Sequence, residues 1–213
     1  MTPYNRIAGQ SAARLASLSD GVFAVAMTLL VLDLKAPAIS AIHSDQDLWQ
    51  SLVALAPKLV MFVMSFMTLG IFWMGQQTQL NHLQRSDRSL SWLHIAFLFG
   101  VCMLPFATTL LGEFPRYRVA LFMYWLNICF LGGVLYISWV WAVNVGLVQN
   151  DVPPEVSSAI KHRIIIAQVL YAFAMLLCAI DTYLSIALFV FVQVNYALAP
   201  RVPWRWKKVQ RPA

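Results

Sequence analysis

Ser19 and Asp20 stand at the head of an apolar run, Gly21 to Leu32, that closes on Asp33. The run alone is short for a bilayer, which takes about 20 residues of helix. A segment that crosses must therefore carry Ser19 and Asp20 inside the membrane profile. A carboxylate there costs about 2.5–3.5 kcal/mol on insertion scales, so it faces protein or water and marks function. The stretch Arg14 to Leu34 reads as the lining of a pathway. The alternative is that Asp20 merely caps the helix, although it already stands a turn inside it.

The helical phase identifies the lining face. At about 100° per residue, Val25, Thr28, Leu29 and Leu32 share one stripe, extended by Leu18 and Val22. Thr28 is its hydroxyl. Such a stripe lines a pore or packs on a neighbouring helix, with Thr28 bonded to its own backbone; periodicity alone leaves both open. Asp33, with Asp45 and Asp47, puts negative charge at the far end of the run. A ring of Asp33 at a pore mouth concentrates cations; an ordinary solvated helix end has the same sequence.

His82 and His94 have no Cys or carboxylate cluster beside them, so they read as hydrogen-bonded structural residues, not metal ligands. Cys102, Cys129 and Cys178 lie in apolar runs and read as buried thiols. The chain carries no nucleophile elbow, P-loop, HExxH or dinucleotide fingerprint. It has no TVGYG filter and no Arg-rich voltage-sensing helix. No enzymatic activity and no cofactor is expected.

These residues need a scaffold, and the composition names its class. Of 213 residues, 60% are hydrophobic and 11% charged, with mean hydropathy +0.68. That describes an integral membrane protein. The formal charge of +6 does not point to nucleic acid, because the basic residues sit between apolar segments instead of forming a patch.

The expected fold is all-α, a polytopic membrane protein with six transmembrane helices. They cover about Ala13–Leu34, Leu52–Gln76 (running on towards Leu83), Leu90–Leu111 with a kink at Pro105, Val119–Val148, Ile160–Ile180 and Tyr183–Leu198. Pro153-Pro154 break the chain before the fifth helix, and Asp181-Thr182 make a tight hairpin between the last two. One channel-sized domain spans 1–200, followed by a basic tail at 201–213. No internal repeat is visible, which argues against inverted-repeat transporters. The first apolar run lacks the pattern of a cleavable signal and is expected to stay in the chain.

One set of loops and ends holds Arg6, Arg14, Arg85, Arg88, Lys161, Arg163, Arg201, Arg205, Lys207, Lys208 and Arg211. The other holds Lys35, Lys58, Arg116 and Arg118. Eleven against four places both termini in the cytoplasm. Trp204 and Trp206 within the basic tail suit an interfacial anchor on anionic lipid, or the tail only sets topology.

Arg14, Ser19-Asp20-Gly21-Val22-Phe23-Ala24 and Thr28 to Leu32 resemble the first helix of the transmembrane protein 175 family of potassium channels. Leu18 stands where Phe is usual. The resemblance extends to Phe72-Trp73, Asn81-His82, Arg85 to Asp87-Arg88, Leu104-Pro105-Phe106 and Leu111-Gly112-Glu113-Phe114, which is the first half of the chain. It implies a homotetramer of six-helix subunits around the first helix, embedded in the lipid bilayer of the plasma (inner) membrane, with potassium as the permeant ion. Val25, Leu29 and Leu32 would form the apolar constriction, with the Thr28 hydroxyl near its narrowest ring. Val25 is shorter than the family's usual Ile or Leu. Arg14, Ser19 and Asp20 would belong to a polar network holding the pore helix, with Gln77, Asn81, His82, Trp92 and His94 as candidate partners. Two rivals remain: a secondary transporter or proton-coupled carrier relaying through Asp20 and His94, and a non-conducting scaffold.

Overall fold

A computed structural model of the chain describes Gly9 and residues 11–198. The basic tail 201–213 and Arg6 lie outside the described residues. Among those described, the regular elements are helices, apart from an isolated bridge between Leu83 and Val148. Helix α1 spans Ala12–Leu29 and tightens into a 3-10 turn at Leu30–Asp33. A short helix, α2, covers Asp45–Ala54. Then come α3 (Ala56–Asn81), α4 (Arg88–Glu113), α5 (Arg118–Asn144), α6 (Pro154–Leu176) and α7 (Thr182–Leu198).

Five of these, α1 with its 3-10 turn and α3 to α6, are long and apolar enough to cross a membrane. Helix α7 has 17 described residues, at the lower limit for a span.

The boundaries differ from the expected ones for local reasons. Helix α2 was not expected; Ser44 caps it by accepting from the Asp47 amide at 3.1 Å, and Asp45 and Asp47 occupy its first turn, where the helix dipole favours them. Helix α5 stops at Asn144, not Val148, because Gly146 turns the chain with φ +70°. The freed strand pairs with the α3–α4 loop: the Gln84 amide donates to the Leu147 carbonyl and the Gln149 amide to the His82 carbonyl, both at 2.9 Å. Helix α6 starts at Pro154, not Ile160, because proline is pre-set for a first helical position. Helix α4 runs through Pro105. Cys178 is buried, but Cys129 is half-buried and Cys102 exposed; an apolar run in a membrane helix has a lipid-facing side as well as a packed one.

The most extensive helix pairing is between α4 and α5. A Cβ added at Gly100 would meet the Phe130 ring at 2.8 Å, and Asn127 donates to the Gly100 carbonyl at 3.1 Å. Small residues let membrane helices approach in this way. Polar side chains tie the interior: Thr108 donates to Ser65 at 2.7 Å, and Gln193 donates to Thr68 at 2.7 Å. The Tyr124 hydroxyl stands 3.3 Å from Ser65 and 3.0 Å from Thr68. These bonds join α3, α4, α5 and α7 where lipid offers no competing partner.

Candidate functional site

Helix α1 is held by one face and bare on the other. Ser19, Phe23, Ala26 and Leu30, spaced four, three and four apart, are its buried residues, none more than 2% exposed. They face α3 and α4. The Phe23 ring lies 6.1 Å from that of Phe97 on α4, which lies 6.2 Å from that of Phe72 on α3. The three rings form the apolar anchor of α1.

Successive helical residues point about 100° apart, so Ser19 and Asp20 reach different neighbours. Ser19 turns to α4, its hydroxyl 2.6 Å from His94 Nε2. The same hydroxyl lies 2.9 Å from the Leu15 carbonyl, which also stands 3.3 Å from His94 Nε2. The Gln76 amide nitrogen lies 3.2 Å from His94 Nε2 and 3.4 Å from Nδ1. Asp20 turns to α3: one carboxylate oxygen accepts from the Trp73 indole at 2.8 Å and from Gln77 at 2.7 Å. Trp73 and Gln77 are four apart and share a helix face.

The structure thus joins Ser19 to His94 and Asp20 to Gln77, and leaves four other network candidates outside. The Arg14 side chain is exposed and bonds nothing among the described residues. His82, beyond the last turn of α3, contacts the Thr78 carbonyl at 2.6 Å and the Trp139 ring edge instead. Asn81 and Trp92 also lie outside, Trp92 being 60% exposed. Trp73 and Gln76 were not read as partners from sequence. The available signal was their offset from Gln77: three polar-tipped side chains within one turn and a half of an apolar helix.

The stripe is the uncovered face. Val25 is 57% exposed, Leu29 45% and Leu32 66%, against 2% for Phe23 and 1% for Leu30. Val22 departs from it, half-buried against the core. Thr28 is exposed, and its hydroxyl donates to the Val25 carbonyl at 2.8 Å. That bond uses the proton and leaves the oxygen lone pairs to face the stripe.

Asp33 does not share the stripe. In a 3-10 turn, residues three apart eclipse. Leu32 therefore follows Leu29 on the open side, while Asp33 follows buried Leu30. Its carboxylate accepts from Thr109 of α4 and lies in a small cleft beside the Lys58–Glu113 ion pair, 2.5 Å long.

Known proteins share much of this sequence and its fold. A family model, the endosomal/lysosomal potassium channel TMEM175, matches residues 14–105, which hold α1, α3 and most of α4. A potassium channel of Streptomyces collinus is 37% identical over 103 residues, 48% of this chain and 48% of its own length, so the match spans about half of that relative. A potassium channel of Chamaesiphon minutus is 30% identical over 191 residues, 87% of this chain and 93% of its own length. The crystal structure of a lysosomal potassium-selective channel TMEM175 homolog from the same organism aligns with a TM-score of 0.77 at 28% identity, over 88% of this chain and 97% of that one. A relative 30% identical and matched almost end to end, with a solved homolog of the same fold, makes this chain a member of the TMEM175 family.

Proposed function

We propose that the chain is a potassium-selective, leak-like ion channel of the plasma membrane, assembled as a homotetramer with α1 of each subunit at the axis and both termini cytoplasmic. The observation that carries this is the bare stripe Val25, Thr28, Leu29 and Leu32, on a helix fixed on its other side by α3 and α4. One such helix cannot enclose a path, and a closed symmetric ring of four can. The names borne by the Chamaesiphon and Streptomyces relatives support potassium as the ion.

In that assembly, Val25, Leu29 and Leu32 form apolar rings from which water withdraws, because the walls cannot replace its hydrogen bonds. The dry segment is the barrier. Potassium sheds water more readily than sodium, and the Thr28 oxygen offers a partial substitute for what is lost. Asp33, turned to Thr109, acts on the field at the pore mouth more than as a ligand.

The test is potassium and sodium flux through the purified protein in liposomes, with reversal potentials for variants. Leu29→Asn wets the constriction, raises current and weakens discrimination against sodium. Thr28→Ala leaves the helix intact and lowers selectivity. If both variants assemble and keep wild-type reversal potentials, the stripe does not line the filter. Saturable, coupled flux in the wild type favours a carrier, and no flux favours a scaffold.

A further inference from the structure

A cleft of about 180 Å³ opens among α3, α5, α6 and α7, walled mainly by apolar side chains including Ile71, Met74, Ile160, Ile164 and Ala167. Helix α6 packs on α5 and α7, whereas α1 packs on α3 and α4. With α1 at the axis, the cleft falls on the outer side of the bundle, facing lipid; the inference rests on that placement. Its α6 wall runs from Ile160 to Tyr171, roughly 16 Å of helix rise, which matches one leaflet of a hydrocarbon core roughly 30 Å thick. All of its α3 residues lie in the half of that helix nearest Asn81, and Tyr196 lies near the end of α7. The cleft therefore occupies the leaflet at the Lys- and Arg-rich end, the inner one.

Its rim carries a fixed cation. The Arg163 guanidinium stands 5.3 Å from the centroid of the Tyr196 ring, and the Tyr196 hydroxyl donates to the Arg163 carbonyl at 3.3 Å. A contact with the ring face uses none of the guanidinium N–H donors, which stay available to another ligand. Among the described residues no carboxylate pairs with it. A held cation above an apolar slot one leaflet deep complements a molecule with an anionic head and a hydrocarbon tail.

We propose that this cleft binds an anionic phospholipid of the inner leaflet, its phosphate on Arg163 and one acyl chain between α3 and α6. The full-length protein is reconstituted into mixed phosphatidylglycerol and phosphatidylethanolamine vesicles and extracted in mild detergent. Native mass measurement then counts retained lipids. The expected result is selective retention of phosphatidylglycerol. Arg163→Gln lowers it about fivefold, the factor that one juxtamembrane cation contributes. Ala167→Phe, which fills the slot, lowers retention of both lipids.

Unchanged phosphatidylglycerol retention in Arg163→Gln overturns the proposal, and so does retention of neither lipid by the wild type, as when a second copy covers the cleft. Arg163 is exposed, so its variant tests the idea even if Ala167→Phe fails to fold. Counting lipids needs no ion flux. A protein that retains phosphatidylglycerol through Arg163 but passes no potassium refutes the channel reading alone. One that conducts normally and binds lipid independently of Arg163 refutes this proposal alone.

Discussion

Asp20→Ala removes one oxygen that two donors share. The Trp73 indole and the Gln77 amide both reach it, at 2.8 and 2.7 Å, and both belong to α3, so the carboxylate ties α1 to that helix twice. A hydrogen bond to a charged group contributes about 1.5–3 kcal/mol. Asp20 is exposed in the single subunit, so water can partly replace it, and the lower figure applies to each bond. Asp20→Ala should therefore destabilise the subunit by about 3 kcal/mol. Asp20→Asn keeps an acceptor oxygen without the charge, and neutral bonds are about half as strong, so it should lose about half as much. Gln77→Ala should cost about 1.5 kcal/mol alone and almost nothing in the Asp20→Ala background, because the partner is already gone. The assay is the midpoint for loss of assembled protein on heating in detergent, read by size exclusion across the three single variants and the double variant. Wild-type midpoints for both Asp20 variants, or costs of Asp20→Ala and Gln77→Ala that simply add, would refute the shared-acceptor argument.

The two faces of α1 should separate in the same assay. Phe23→Ala empties the contact with Phe97 and should cost about 3–5 kcal/mol, whereas Val25→Ala, at 57% exposure, should leave subunit stability within about 0.5 kcal/mol and change ion flux; equal stability losses would refute the division. Gly100→Val should overpack the α4–α5 interface, where even a Cβ stands 2.8 Å from the Phe130 ring, at about 1–3 kcal/mol; Phe130→Ala in the same chain should recover part of that, and no recovery counts against steric conflict as the cause.

Much of the architecture was legible because membrane helices announce themselves by length and composition. The apolar segments around residues 60, 100, 130, 170 and 190 all became helices. Periodicity correctly separated Phe23 and Leu30 from Val25, Leu29 and Leu32, because a helix fixes the angle between residues whatever surrounds it. Three things were not legible. Where α5 ends depends on Gly146 at positive φ and a pairing with a loop that is distant in sequence. Which polar residues meet depends on how α3 is rotated, so Trp73 and Gln76 became partners while His82 and Arg14 did not. The turn at Leu30–Asp33 changes the angular step itself and sets Asp33 against Thr109, a contact that a reading of Asp33 as a charge at the end of the run does not include.

That change of step bears on why the network exists. Within a membrane, apolar contacts between helices hold register poorly, because lipid tails cover a Leu as well as another helix does. Helix α1 has only one face to be held by if its other face is to stay open. Its apolar anchor, the Phe23–Phe97–Phe72 cluster, fixes depth near the middle but resists rotation weakly. Rotation by one residue, about 100°, would bring Ala24 to where Phe23 packs and carry Val25 off the open face. Directional bonds forbid it: Ser19 to His94 and Asp20 to Trp73 and Gln77 at one end, Asp33 to Thr109 at the other. The 3-10 turn is what lets both hold together, because it moves Asp33 to the side of Leu30 and leaves Leu32 in line with Leu29. A helix pinned at both ends and packed in between keeps Val25, Thr28, Leu29 and Leu32 at fixed angles. In the proposed tetramer, four copies about an axis would then present four identical stripes, the condition for rings of defined width.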